Sequence, residues 1–219
     1  MPKPNISEAV QRAIGARRLL DHPYYLSWQQ GSLIIDDLRE YAEQYRHFEA
    51  VLPETLAAAA AAITDATARK LTEANLQDEL SSPAPHLDLF GDFAEAVGAN
   101  PGAGPGPATR RLTALYERAA VEGPIPALAV IAAYEVQAAE VAATKAGALR
   151  RHYALSPGET AFWDVHAEMD RGHAFWTTDA LRALGADPGA VGDWAERSSS
   201  AWWEFLDERE VARAERTLV

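Results

Sequence analysis

His166, Asp170 and His173 are spaced four and three residues apart. On an α-helix that spacing stacks two imidazoles and one carboxylate on a single face over two turns. Two imidazoles and a carboxylate converging from one side suit iron or manganese. Phe162, Trp163, Phe175 and Trp176 flank the set and read as apolar walls. A lone histidine is better read as a solvated or core-satisfied polar residue, but the three-residue pattern favours metal.

A pair of metal ions needs further carboxylates, supplied by other helices that face the same core. Glu135 is one candidate, because it lies deep in the apolar run that begins at Ile125. A buried carboxylate without a charged neighbour costs several kcal/mol unless it is paired or ligates a metal. Gln77, Asp78 and Glu79 form the second group, followed by a Ser-Pro break and His86. The end of one helix and the start of the next can aim Glu79 and His86 inward across that break. Taken alone this spacing is a weak signal, since acidic residues are common near helix ends. Glu49, Glu140 and Arg171 read as solvated or outside the ligand set. No E-x-x-H pair of a ferritin-like centre occurs, nor H-E-x-x-H, a P-loop, G-x-G-x-x-G or G-x-S-x-G.

The elements that must position these residues read as helices almost throughout. Ala, Leu, Glu and Arg dominate long stretches, and alternating β-branched runs are missing. The pattern predicts a helix from Ser7 to Leu20, ended by His22 and Pro23, and a short turn from Tyr25 to Gln29. Asp36 is read as the N-cap of a long helix from Asp37 to Ala66, kinked at Pro53. Further helices are expected at 68–80, 86–97, 109–120, 125–151, 157–184 and 190–216. Residues 100–107, dense in Pro and Gly, read as a surface loop. Seven or eight helices in 219 residues predict one all-α bundle spanning residues 1–219.

Composition narrows the function. Thirty-two acidic residues against 20 basic give a net charge of −12, which argues against nucleic acid or an anionic membrane surface as partner. With no cysteine there is no disulfide, zinc ribbon, iron–sulfur cluster or thiol nucleophile. The first 18 residues lack the apolar core of a signal peptide, and no charge-free apolar stretch of membrane-spanning length is expected. The expectation is a cytoplasmic protein.

In order along the chain, Glu79, His86, Glu135, His166, Asp170 and His173 resemble the ligand set of the haem-oxygenase-like di-metal oxidases. That superfamily uses E-x6-H, a lone mid-helix Glu, then H-x3-D-x2-H, and all six positions are filled here. The resemblance implies a seven-helix bundle of the kind shared with thiaminase-II and the quinone-biosynthesis oxidase. It also implies two metal ions (Fe/Fe or Fe/Mn), dioxygen as co-substrate, an external reductant and a homodimer. Thiaminase-II-like members rely on a cysteine that is absent here. The segment from Leu20 to Trp28, with Gly31, Leu38, Tyr41 and Ala42, is similar to members that make para-aminobenzoate for folate synthesis by consuming their own tyrosine. By that likeness the consumed tyrosine matches Tyr25, a second functional tyrosine Tyr41, and the lysine amino donor Lys145. Ala138 and the pair Arg46 and His47 depart from those relatives. The alternatives are a sister oxidase acting on an external amino acid or fatty acid, by N-oxygenation, C–C cleavage or decarboxylation, and a non-enzymatic helical partner-binding protein. Should haem bind instead, His22 is the available axial ligand.

Overall fold

The computed structural model describes residues 5–15 and 17–217. Among them are nine α-helices, one single-turn 3₁₀ helix at Leu19–Asp21, and no strand. The helices are α1 (Ile6–Ile14), α2 (Pro23–Gln30), α3 (Ile35–Ala62), α4 (Ala66–Ser81), α5 (His86–Ala96), α6 (Pro107–Glu122), α7 (Pro124–His152), α8 (Ala161–Ala183) and α9 (Pro188–Thr217). The all-α expectation holds, and the helix count exceeds seven or eight because α2 is a full helix.

The N-terminal region departs most from expectation. Asn5 caps α1, with its side chain and that of Glu8 satisfying each other's backbone N–H groups. The helix stops at Ile14, where Gly15 takes φ +41°, well before Leu20. Glycine tolerates that conformation without strain, so it and not Pro23 ends the helix. Residues 1–4 and Ala16, parts of the segment read as lacking a signal peptide, lie outside the described residues. Pro23 instead starts α2, at the helix position where its missing N–H costs nothing. His22 is the cap: its Nδ1 accepts from the Tyr24 N–H at 3.1 Å, and its Nε2 lies 3.1 Å from Asp207. With both ring nitrogens engaged, the expected haem-ligand alternative has no free donor.

α3 begins two residues earlier than expected. Its cap position is Ile34, whose N–H donates to Asp37 Oδ2 at 2.9 Å, so Asp37 does the capping expected of Asp36. The helix carries Pro53 inside and ends at Ala62; Asp65 then caps α4 by accepting from the Ala68 N–H at 2.8 Å. The Pro/Gly-rich loop is tied to α3: Gln44 donates to Gly104 O and accepts from Gly106 N–H and Thr109.

α7 is the central helix. From Ala127 to Glu135 every residue is buried, the pattern of a helix enclosed on all sides. By length and composition α7 could cross a membrane, against the sequence expectation, but 67% of its most apolar window is buried inside the bundle. It packs most extensively on α8, and α4 also packs on α8. That arrangement brings the candidate ligands of α4, α5, α7 and α8 to one level of the core.

Candidate metal centre and its tyrosine neighbours

All six expected metal ligands are buried. α8 turns one stripe inward, formed by Phe162, Trp163, His166, Asp170, His173 and Thr177. Phe175 falls off that stripe and is 58% exposed, so it is not the apolar wall expected of it. Two residues beyond His173, it is rotated about 200° around the helix. Trp176 lies beside the His173 ring, with centroids 5.7 Å apart.

Glu79 closes α4 and His86 opens α5, and the short break between them folds the two side chains together. His86 Nδ1 is 2.7 Å from Glu79 Oε2, and its Nε2 is 3.1 Å from the Ser82 carbonyl. The His86 and His166 rings are 4.4 Å apart. Donor atoms of Glu79, His86 and His166 all lie within 4.8 Å of one another. His166 Nδ1 donates to the Phe162 carbonyl at 2.8 Å, which leaves Nε2 its lone pair. His173 Nδ1 lies 3.2 Å from Asp170 Oδ1 and 3.5 Å from Glu79 Oε1. Its Nε2 faces Asp78 at 3.3 Å.

Glu135 is held from two sides. Asn75 Nδ2 donates to Oε1 and Thr177 Oγ1 to Oε2, each at 2.6 Å. Burial still pushes its carboxyl up to about 7, offset in part by His173, Thr177 and Asn75. For His173 burial opposes protonation, but Asp170, Glu135 and Glu79 outweigh it and hold the ring at about 9. Among the described residues, Asp170 Oδ2 and Asn75 Oδ1 are buried without a hydrogen-bond partner. Orphaned polar atoms of this kind are rare in a core. Carboxylates and imidazoles around them form the donor set that a divalent iron-type cation satisfies, so the residues present fit a metal.

The second cluster involves Tyr25, Tyr41 and Lys145. Tyr25 and Tyr41 hydroxyls are 2.8 Å apart, and Lys145 Nζ donates to Tyr25 at 2.9 Å and to Tyr41 at 2.5 Å. The ammonium position also lies 4.2 Å from the Trp163 ring centroid. All three side chains are buried. Burial drives Lys145 well below its usual value, with Glu49 the opposing charge. It drives both tyrosines up.

Glu49 joins the two clusters, and sequence reasoning missed it. It is 3% exposed, not solvated, and lines a cavity of about 320 Å³ together with Glu79 and His86. Burial and the charges of Glu79 and Asp170 raise its carboxyl well above the usual range. Next along α3, Tyr45 stacks on Tyr41 at 5.2 Å and shares a short hydrogen bond with Tyr134. The signal was present: Leu38, Ala42, Tyr45, Glu49, Leu52 and Leu56 alternate at spacings of four and three, which places Glu49 on the core stripe. Glu140 and Arg171 are exposed, as expected.

The helical arrangement matches solved structures. A protein of Shewanella denitrificans described as having a heme oxygenase-like fold superposes with a TM-score of 0.79, at 16% identity over 95% of this chain and 93% of the other. The fold is therefore haem-oxygenase-like. Residues 39–203 match the family described as iron-containing redox enzymes, and the chain belongs to that family. It is accordingly an oxidoreductase of iron-type metal chemistry. Two relatives are similar along most of their length. The 4-aminobenzoate synthase of Nitrosomonas europaea is 30% identical over 220 residues, 91% of this chain and 89% of that one. The 4-aminobenzoate synthase of Chlamydia trachomatis is 29% identical over 176 residues, 78% and 76% of the two chains.

Proposed function

We propose that the protein makes 4-aminobenzoate from its own Tyr25. In this reading Glu79, His86, Glu135, His166, Asp170 and His173 hold two metal ions (Fe/Fe or Fe/Mn), and dioxygen and an external reductant are consumed. The observation that carries the reading is the buried Tyr25–Tyr41–Lys145 triangle, whose polar atoms satisfy one another. An external substrate would have to displace these side chains, whereas a substrate that is part of the chain is already in place. Two relatives named 4-aminobenzoate synthase support it.

When bound, the metal supplies the electrons and the Lewis acidity that dioxygen chemistry needs. The chain's residues supply the rest. Trp28, Tyr41 and Trp163 pack around one another and hold a dry box beside Tyr25. Burial pushes the Lys145 amine well below its usual value and so favours the neutral form, which can donate nitrogen or accept a proton from Tyr25 or Tyr41. Glu49 and Tyr45 form the buried bridge from the carboxylates to Tyr41. Tyr25 provides the ring and Lys145 the amino group.

The test is isotopic. Protein produced with ring-deuterated tyrosine, loaded with iron and given oxygen and a reductant, is expected to release ring-deuterated 4-aminobenzoate, at most one molecule per chain. Unlabelled product, or many turnovers per chain, overturns the reading.

One observation favours a second reading, a sister oxidase acting on an external amino acid or fatty acid. The cavity of about 320 Å³ beside Glu79 and His86 is lined also by Leu80, Pro85 and Leu87. In that case added substrate accelerates oxygen consumption and Tyr25 survives intact.

A further inference from the structure

A second cavity, of about 510 Å³, opens between α3 and α5 and continues along the turn after α5. Its volume lies in the range of small-molecule sites. Leu87, Phe90, Ala94 and Ala99 supply apolar wall, and its polar lining is Arg46, Glu95 and Asn100. Among the described residues, the Arg46 NH1 nitrogen is buried without a hydrogen-bond partner and the guanidinium forms no ion pair. Glu95, exposed, also lines the cavity yet does not pair with Arg46. A guanidinium fork answers a planar carboxylate, and desolvated N–H groups left unpaired are costly. Phe90 also packs on Tyr45, Phe162 and Trp163 at 5.3, 5.0 and 6.1 Å, so the cavity abuts the aromatic box. It is distinct from the cavity beside Glu79, although Leu87 lines both.

We infer that this cavity binds a small organic monocarboxylate with an apolar body, its carboxylate on Arg46 and its body against Leu87 and Phe90. This does not rest on the fate of Tyr25. Two ligand sources share the chemistry, an aromatic acid and a medium-chain fatty acid, and the test separates them.

Calorimetric titration of the metal-loaded protein with 4-aminobenzoate and, separately, octanoate is expected to give saturable one-to-one binding for at least one of them. Inorganic phosphate serves as an anion without an apolar body. Arg46→Met removes the charge. Gly91→Leu fills the cavity from α5, where an added Cβ meets nothing within 4 Å. Each variant is expected to weaken carboxylate binding about tenfold or more, with the thermal midpoint serving as the folding check. Binding that survives both substitutions in folded protein overturns the inference. So does phosphate binding as well as the carboxylates, loss in Arg46→Met alone, or failure of both carboxylates to bind.

Discussion

Lys145 Nζ lies 2.9 Å from the Tyr25 hydroxyl, with both side chains buried and, among the described residues, no carboxylate hydrogen-bonded to the amine. An amine in this setting has lost its hydration and gained only phenols and ring faces in return. Burial holds its pKa well below the usual 10.5.

That environment has a stability consequence. Between the folded and unfolded pKa values the unfolded chain binds the extra proton, so wild-type stability rises with pH up to about 10.5. Lys145→Met is expected to be more stable than wild type by roughly 1–3 kcal/mol at neutral pH. The gap should shrink as pH rises toward 10.5, and 4-aminobenzoate release should be lost. Chemical denaturation of both proteins across pH checks this.

Glu135 gives the opposite sign. Its folded pKa of about 7 exceeds the ordinary 4.5, so its contribution is fully present below 4.5 and is lost as pH rises through 7. In metal-free protein at pH 8, Glu135→Gln is therefore expected to stabilise by about 1–3 kcal/mol. Ligand binding to the native state raises stability, so added Fe(II) should lift the midpoint of wild type far more than that of the variant. Thermal melts with and without metal under anaerobic conditions measure both.

The residues that orient Glu135 are tested separately. Thr177 Oγ1 donates to Oε2 at 2.6 Å, and Thr177→Val keeps the shape while removing the donor. Loss of such an orienting hydrogen bond is expected to weaken iron binding about 10–100-fold. Anaerobic iron titration reads it, with circular dichroism confirming the fold.

These two predictions also mark what was legible in sequence. His166, Asp170 and His173 could be read because one helix carries all three on one face, so local spacing already contains the geometry. Glu135 could be read because its neighbours are apolar. Asn75, Thr177 and Glu49 could not be assigned roles so directly: Glu135, the partner of the first two, lies 60 and 42 residues away, the Glu79 and Asp170 charges that act on Glu49 sit on other helices, and only packing brings them together. Glu49 did occupy a core position of α3, masked by the charged residues around it. Helix ends were the least legible part. Gly15 and Asp37 decide boundaries through backbone conformation and a single capping bond, which competing signals at Pro23 and Asp36 obscured.

The C-terminal end of the Tyr25 helix offers a test of the scaffold. Gly31 ends α2 at φ +68°, and an added Cβ would lie 2.3 Å from His152 Cγ. Gly31→Ala is expected to destabilise by roughly 1–3 kcal/mol, since it combines a disfavoured backbone region with a clash. Denaturant midpoints decide it, and a neutral result would mean that His152 moves freely.

The proposed function turns on Tyr25 being the source of product. The most direct measurement is intact-protein and peptide mass spectrometry, with 4-aminobenzoate assay, on iron-loaded wild type and Tyr25→Phe after exposure to oxygen and a reductant. Wild type is expected to release 4-aminobenzoate with matching loss of the Tyr25 side chain. None is expected from Tyr25→Phe, which should still bind iron. Product from Tyr25→Phe, or product from wild type with Tyr25 intact, would contradict Tyr25 as the source.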